Sequence, residues 1–375
     1  MDFELDQTQR EIAEVTASIL DRAAERAPTE RWRAIVDGGL LALGLPEHCG
    51  GDGLGLSGAA VVLTEVGRRA VAEPLLATLA LGALPLARSG TRRQQEAFLP
   101  GVAKEGLVLT AALHEPSQPL PTHPRSIARR EGDLFVVNGT KVGVPYADRA
   151  DRVLVPVTIP DALLVDRHAG TGLLIVDPQA SGVSVTPAPS SGHEPQHRLA
   201  LNDVIVPVAD LVGEQSDGTA VHDLYRVAVV AAALTADGLL AGALALTAEH
   251  VRTRQQFGRP LATLQAVAQQ IADVYVTSRA LHLAAWSACW RLRVPPGAAD
   301  GPDPGADPAV AGYWVAEQLR PALAACHHLH GGLGLDNRYP LHRFSAAAAE
   351  LARLVGGPER GLELLGDELF GERES

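Results

Sequence analysis

Aromatic residues are scarce in this sequence, at 4% of 375 positions. Its interior must therefore be packed from small aliphatic side chains, which favours helices over an aromatic-rich β-fold. Cysteine is also rare. Cys49, Cys289 and Cys326 lie far apart, with no CxxC pair and no even framework. That excludes a disulfide scaffold and points to a reducing cytoplasm. Basic runs are missing, and 44 acidic residues outnumber 32 basic ones for a formal charge of −12. Such a balance argues against a nucleic-acid partner or an anionic membrane surface. The start, Met1-Asp2-Phe3-Glu4, has no basic segment leading into an apolar one, so no typical signal peptide is expected. The most apolar stretch, Val227 to Leu246, is interrupted by Asp237 and flanked by Arg226, Glu249 and His250. It reads as a buried bundle helix and not as a membrane span.

What is present falls into three zones. Hydrophobic residues make up 46% of the chain, enough for a sizeable core. Residues 1–107 carry amphipathic stretches at Glu11–Ala27, Arg31–Gly38, Gly58–Arg68 and Leu75–Ala87. Asp6 with Gln9, and Thr91 with Gln94, have the spacing of capping boxes. In residues 108–215, short apolar runs alternate with prolines and turn residues. The runs are Val108–Leu113, Leu134–Val137, Arg152–Val157, Leu173–Val176, Val183–Thr186 and Val204–Val206. They predict a small antiparallel barrel or sandwich. Residues 216–375 return to long helical patterns at Ala220–Gln255, Leu261–Arg293, Pro308–Leu329 and Leu341–Val355, with a short last one at Glu359–Leu369. The expected class is α+β and mostly helical: a helical domain, a β-domain and a four-helix bundle.

Several short motifs resemble active sites without the required setting. His193-Glu194-Pro195-Gln196-His197 spells HExxH, but a zinc site needs both histidines on one helical face, and Pro195 with Gly192 predicts strand and turn. Gly53-Leu54-Gly55-Leu56-Ser57-Gly58 matches GxGxxG without a preceding strand, so it reads as a loop entering a helix. His327, His328 and His330 match no common zinc spacing, and Cys49 reads as a buried thiol. No metal is expected.

Four segments carry more weight. The first is Leu45-Pro46-Glu47-His48-Cys49-Gly50-Gly51-Asp52-Gly53. The second is Val137-Asn138-Gly139-Thr140-Lys141, followed by Ala147-Asp148-Arg149-Ala150-Asp151. The third is Arg254-Gln255-Gln256-Phe257-Gly258-Arg259-Pro260-Leu261, with Gln265-Ala266-Val267. The fourth is His330-Gly331-Gly332-Leu333-Gly334, then Tyr339-Pro340-Leu341-His342-Arg343. In this order they resemble the acyl-CoA dehydrogenase family over essentially the whole chain. The resemblance implies FAD, held between the β-domain of one subunit and the bundle of its neighbour. It maps the neighbour's share onto Arg254, Phe257, Gln265, His328, Gly331 and Gly332. A guanidinium fork suits a pyrophosphate, and paired glycines let backbone approach a phosphate closely. Arg254 through Gly258 also reads as a plain helix C-terminus capped by Gly258.

The chain departs from the family at the seat of the flavin ring. The family's Thr-Glu-Pro-x-x-Gly-Ser-Asp loop keeps Glu115-Pro116 but continues Ser117-Gln118-Pro119-Leu120-Pro121. The family's Trp and Thr after Lys141 are replaced by Gly143 and Pro145. The carboxylate base positions fall on Val355 and Ala228, neither of which takes a proton. Asp223 and Asp237, the nearest acids on the long helix, are turned away from that face. Bundle contacts, capping or solvation are expected for them. Together these features resemble the two-plus-two heteromeric enzymes of actinobacterial steroid side-chain breakdown. That resemblance implies a homologous catalytic partner in an α2β2 assembly, an acyl-CoA substrate and an electron-transferring flavoprotein. A self-sufficient homomer with a displaced carboxylate and a non-enzymatic scaffold are the alternatives.

Overall fold

The computed structural model describes residues 4–160, 170–192, 194–296 and 304–370. Five helices open the chain: α1 (Gln7–Ala24), α2 (Pro28–Asp37), α3 (Gly55–Arg68), α4 (Leu84–Ser89) and α5 (Arg92–Glu105). Both capping boxes form. Gln9 N donates to Asp6 Oδ1 at 2.8 Å, Asp6 N donates to Gln9 Oε1 at 3.0 Å, and Thr91 and Gln94 repeat the pattern. A cap of this kind is worth about 1 kcal/mol. The stretch expected as a plain helix over Leu75–Ala87 is a π-helical segment, Ala77–Ala83, running into α4. Pro85 has no N–H for a regular ladder, and Leu84 N reaches back five residues to Leu79 O.

Among the described residues seven strands follow: β1 (Leu109–Ala111), β2 (Ile127–Glu131), β3 (Leu134–Pro145), β4 (Arg152–Ile159), β5 (Gly170–Val176), β6 (Val183–Ala188) and β7 (Gln196–Pro207). They form one sheet in the order β1-β4-β2-β3-β7-β6, with β5 also on β4. Most neighbours are antiparallel, as expected, but β1 and β2 pair β4 in parallel. Local periodicity cannot distinguish the two, since the direction is set by the connections. β2 lacks an apolar run because Arg129, Arg130 and Glu131 are exposed. β3 and β7 extend well beyond their apolar runs. Register shifts between Val137 and Gly139 and between Lys141 and Val144 interrupt the alternation.

The chain closes with α6 (Thr219–Thr253), a two-residue hairpin β8 (Gln255–Gln256) and β9 (Arg259–Pro260), then α7 (Gln265–Leu292), α8 (Asp307–His330), α9 (Leu341–Leu354) and α10 (Gly357–Phe370). α6 is the central helix. It is long and apolar enough to cross a membrane, yet 83% of its most apolar window is buried inside the protein. α3 crosses it at close range: a Cβ on Gly67 would lie 1.9 Å from Thr235 O, and one on Gly238 would lie 1.8 Å from Thr64 O. The small residues from Val227 to Ala236 therefore serve close packing. The N-terminal helices and the bundle share one continuous apolar core, and the sheet builds a second.

Candidate functional site

The chain end of α6 builds an open edge. The helix stops at Arg254, whose N–H donates to His250 O at 2.8 Å and whose carbonyl accepts from Leu261 N at 2.9 Å. Gly258 is therefore not the helix cap expected from the sequence. It shares with Phe257 the turn of the β8–β9 hairpin, at φ values of 73° and 54°. Positive φ at both central positions suits the twist of a two-residue hairpin. For phenylalanine it is strained, and this ring is 86% exposed. Gln265 begins α7, and His328 lies in the last turn of α8. Gly331 ends that helix at φ 57° and ψ −136°, a conformation open essentially to glycine alone.

These residues gather at one end of the bundle because α6 and α8 end side by side. His250 stacks on His330 with ring centroids 4.5 Å apart. His330 Nδ1 donates to Cys326 O at 2.8 Å, and its Nε2 accepts from the Tyr339 hydroxyl at 3.0 Å. Burial holds both imidazoles below the usual histidine range, so the pair is neutral at pH 7. All six residues mapped to the nucleotide are exposed: Arg254, Phe257, Gln265, His328, Gly331 and Gly332. A Cβ on either glycine would meet nothing within 4 Å. Leu335 is 80% exposed, and Tyr275 and Val276 on α7 are exposed as well. Exposed apolar surface of this kind marks an interaction face.

The second bulge of β3 builds the other half. Glu115 is buried and ion-paired with Lys141 Nζ at 2.8 Å. Its carboxylate also accepts from Ser126 Oγ and from the backbone N–H groups of Arg125 and Ser126. Lys141 and these hydrogen bonds outweigh burial and hold the Glu115 carboxyl below its usual range. Burial pushes the Lys141 ammonium down to about 8. Glu115 thus anchors the loop through four donors, three of them on Oε1 and one on Oε2. Gly143 sits in the bulge at φ 62°, and the guanidinium of Arg353 lies against it. A Cβ at that position would be 2.0 Å from Arg353 Nη1. Arg353 also donates to Gly143 O at 3.3 Å and Gln196 Oε1 at 2.7 Å, and pairs with Glu350 at 2.9 Å. Glu350 in turn accepts from Ser190 Oγ and Ser191 N, locking the β6–β7 connection to α9. A flat aromatic ring stacked on β3 would have to displace this arginine. The residues present here do not fit a flavin ring.

Neither expected base position, nor either acid near them, offers a free carboxylate. Ala228 and Val355 are both buried in the apolar core. Asp223 holds Arg88 through two hydrogen bonds of 2.7 and 2.8 Å, and Arg88 also caps the carbonyls of Leu292 and Val294. Asp237 accepts from His282 at 2.9 Å and from the Trp286 indole at 3.2 Å. Both acids are bundle polar contacts.

One group escaped the sequence reading. Burial, reinforced by neighbouring Glu350, pushes the Glu194 carboxyl up to about 7. That is the range a general base needs. Yet the cavity it shares with Pro145, Thr235, Leu239 and Arg353 measures only about 40 Å³. A void of that size holds a water or two and no acyl chain. The available signal was the HExxH string itself. It lies at the start of β7, not on a helix: His197 is buried beside Asp148 at 3.4 Å, and His193 lies outside the described residues. No cluster of three or more metal-ligand side chains occurs among the described residues. The GxGxxG string is the entry of α3, with Gly53 and Gly55 at positive φ. Cys49, Cys289 and Cys326 are buried and free.

Comparison with known proteins gives two domain matches: acyl-CoA dehydrogenase, N-terminal domain, over residues 5–106, and acyl-CoA dehydrogenase, C-terminal domain, over residues 223–363. The chain is 42% identical to acyl-CoA dehydrogenase FadE28 of Mycobacterium tuberculosis over 369 residues, covering 98% of each. Among solved structures it resembles the ChsE4-ChsE5 complex of the same organism, with TM-score 0.86 and 30% identity over 98% of this chain and 99% of that one. It also resembles a single-substitution variant of the Tcur3481-Tcur3483 steroid ACAD, with TM-score 0.85 and 33% identity over 97% and 98%.

Proposed function

The chain belongs to the acyl-CoA dehydrogenase family, and from that premise we propose that it is the non-catalytic subunit of a heteromeric, FAD-dependent enzyme. In this reading, residues 1–107, 108–215 and 216–375 are its three domains. Its partner is a homologous subunit with an intact ring seat and a carboxylate base, joined in an α2β2 assembly. The substrate is an acyl-CoA dehydrogenated between its α and β carbons, of the steroid side-chain class. The relatives that are complexes, or carry "steroid" in their names, support the partner and the substrate class. An electron-transferring flavoprotein then takes the electrons.

One contrast carries the reading. The six nucleotide-edge residues stand open at the bundle end, while Arg353 fills the chain's own ring seat. FAD, when bound, accepts the hydride leaving the β-carbon. This chain's part is to hold its diphosphate end: Arg254 supplies charge and a donor fork, and Gly331-Gly332 supplies backbone without a Cβ in the way. Phe257 offers a flat apolar face. Ala228 and Val355 abstract no proton, consistent with a base supplied by the partner.

The test is co-expression with a homologous subunit that has the carboxylate, assayed on a steroid side-chain CoA ester. Turnover is expected from the complex and not from either chain alone. Turnover by this chain alone contradicts the proposal and favours the self-sufficient homomer. A complex whose flavin content is indifferent to Arg254→Ala favours the scaffold.

A further inference from the structure

The closed ring seat still opens to solvent as a cavity of about 460 Å³, within the usual range for a small-molecule site. Its floor includes His114, Gly143 and Arg353, and Gly356-Gly357 form another wall. His114 is 5% exposed. Its Nδ1 accepts from Leu120 N at 3.3 Å, so the ring proton of the neutral imidazole resides on Nε2. That Nε2–H has no hydrogen-bond partner among the described residues. A buried donor left unpaired costs roughly 1–3 kcal/mol, which a bound acceptor would recover.

Other features around the cavity favour negative charge. Arg353 commits four of its five N–H groups to Glu350, Gly143 and Gln196, leaving one on Nη1. The N-terminus of α10 begins at Gly357, where the helix carries its positive partial charge. Glu115, which lines the cavity, is balanced by Lys141, and Glu350 by Arg353; Glu194, in the small void on the other side of Arg353, has its carboxyl pushed up to about 7 by burial. Burial first, and then Arg353 and Lys141 nearby, hold the His114 imidazole down at about 3, so it acts as a neutral donor. Pro119, Val142, Ala188 and Pro189 give part of the wall an apolar face that suits a carbon body behind a polar head, and Ser117 and Gln118 line it beside them.

We propose that this former ring seat is a binding site for the oxyanion head, carboxylate or phosphate, of a small molecule, received by His114 Nε2–H, Arg353 and the N-terminus of α10. The site is separate from the nucleotide edge at the bundle end. It shares with the proposed function only the premise that no flavin ring occupies this seat.

The test titrates the full chain with inorganic phosphate and, separately, with acetate, holding ionic strength constant with chloride. The readout is the His114 Nε2–H resonance in histidine-labelled protein, together with the thermal midpoint. Saturation in the millimolar range is expected, with a shift of that resonance. Saturation by phosphate alone identifies a phosphate head, and saturation by acetate alone a carboxylate head. His114→Phe should weaken the effective anion about tenfold, while His114→Gln, which keeps a donor, should weaken it less. No saturation by either anion overturns the proposal. So does binding that leaves the His114 proton unmoved and is indifferent to His114→Phe, which is an adventitious ion only. Flavin seated against Gly143 would sink this site and the proposed function together. An empty seat that ignores both anions would sink this site alone.

Discussion

Glycine does opposite work at the two ends of this molecule. At Gly143 the missing side chain makes room for another residue of the same chain, and Arg353 fills the space. At Gly331 and Gly332 the missing side chains face nothing at all. At the first surface an ion-paired arginine of the same chain takes the place of a ring, and the second is left without such a neighbour. A half-site can be lost by occupation as well as by deletion. Replacing a ring-facing tryptophan by glycine would leave a hole; here α9 lays a guanidinium against that glycine, in the place of a stacked ring.

Lys141→Met should have the largest effect, because it strands the buried Glu115 carboxylate. Loss of roughly 3–5 kcal/mol is expected in urea unfolding. A loss below about 1 kcal/mol would mean that the ion pair does not hold the closed side together. On the open side, Arg254→Ala should weaken FAD retention in the complex by roughly 1.5–3 kcal/mol, or about 10- to 150-fold. The stability of the lone chain should barely change, since Arg254 is exposed.

Glu194→Gln sharpens the closed side through pH. The Glu194 carboxyl is raised from 4.5 to about 7, so its contribution to stability is fully present below pH 4.5 and is lost as pH rises through 7. Glutamine cannot ionise. The variant should therefore be more stable than the parent at pH 8 by roughly 1–2 kcal/mol, discounted for the partial exposure of the side chain, and equal to it near pH 4. Turnover of the complex should not change; its loss would revive Glu194 as a base. Phe257→Gly should have the smallest effect on folding, a gain of roughly 0.5–1 kcal/mol in the lone chain from relieving a positive φ. The same change should weaken flavin retention in the complex. Unchanged retention would remove Phe257 from the nucleotide edge.

The open edge was legible in the sequence because its residues are contiguous. Arg254 through Leu261 and His330 through Gly334 are local strings whose chemistry shows without folding. The helical domains were legible for a similar reason: capping boxes at Asp6 and Thr91 are i, i+3 signals. The closed seat was half legible. Gly143 and Pro145 announced what was missing, but not what replaced it. Arg353 lies 210 residues from Gly143, and only the packing of α9 on β3 brings them together. Glu194 stayed hidden because its burial comes from the bundle. The parallel pairings of β1 and β2 with β4 were out of reach because strand direction is a property of connections, not of composition.

Everything turns on where the isoalloxazine sits, and counting flavin per polypeptide addresses that most directly. Purified by itself, the chain should emerge colourless. Purified with its partner, it should carry one flavin for each pair of unlike chains. A yellow preparation of the chain alone, at one tightly held flavin per polypeptide, would contradict it.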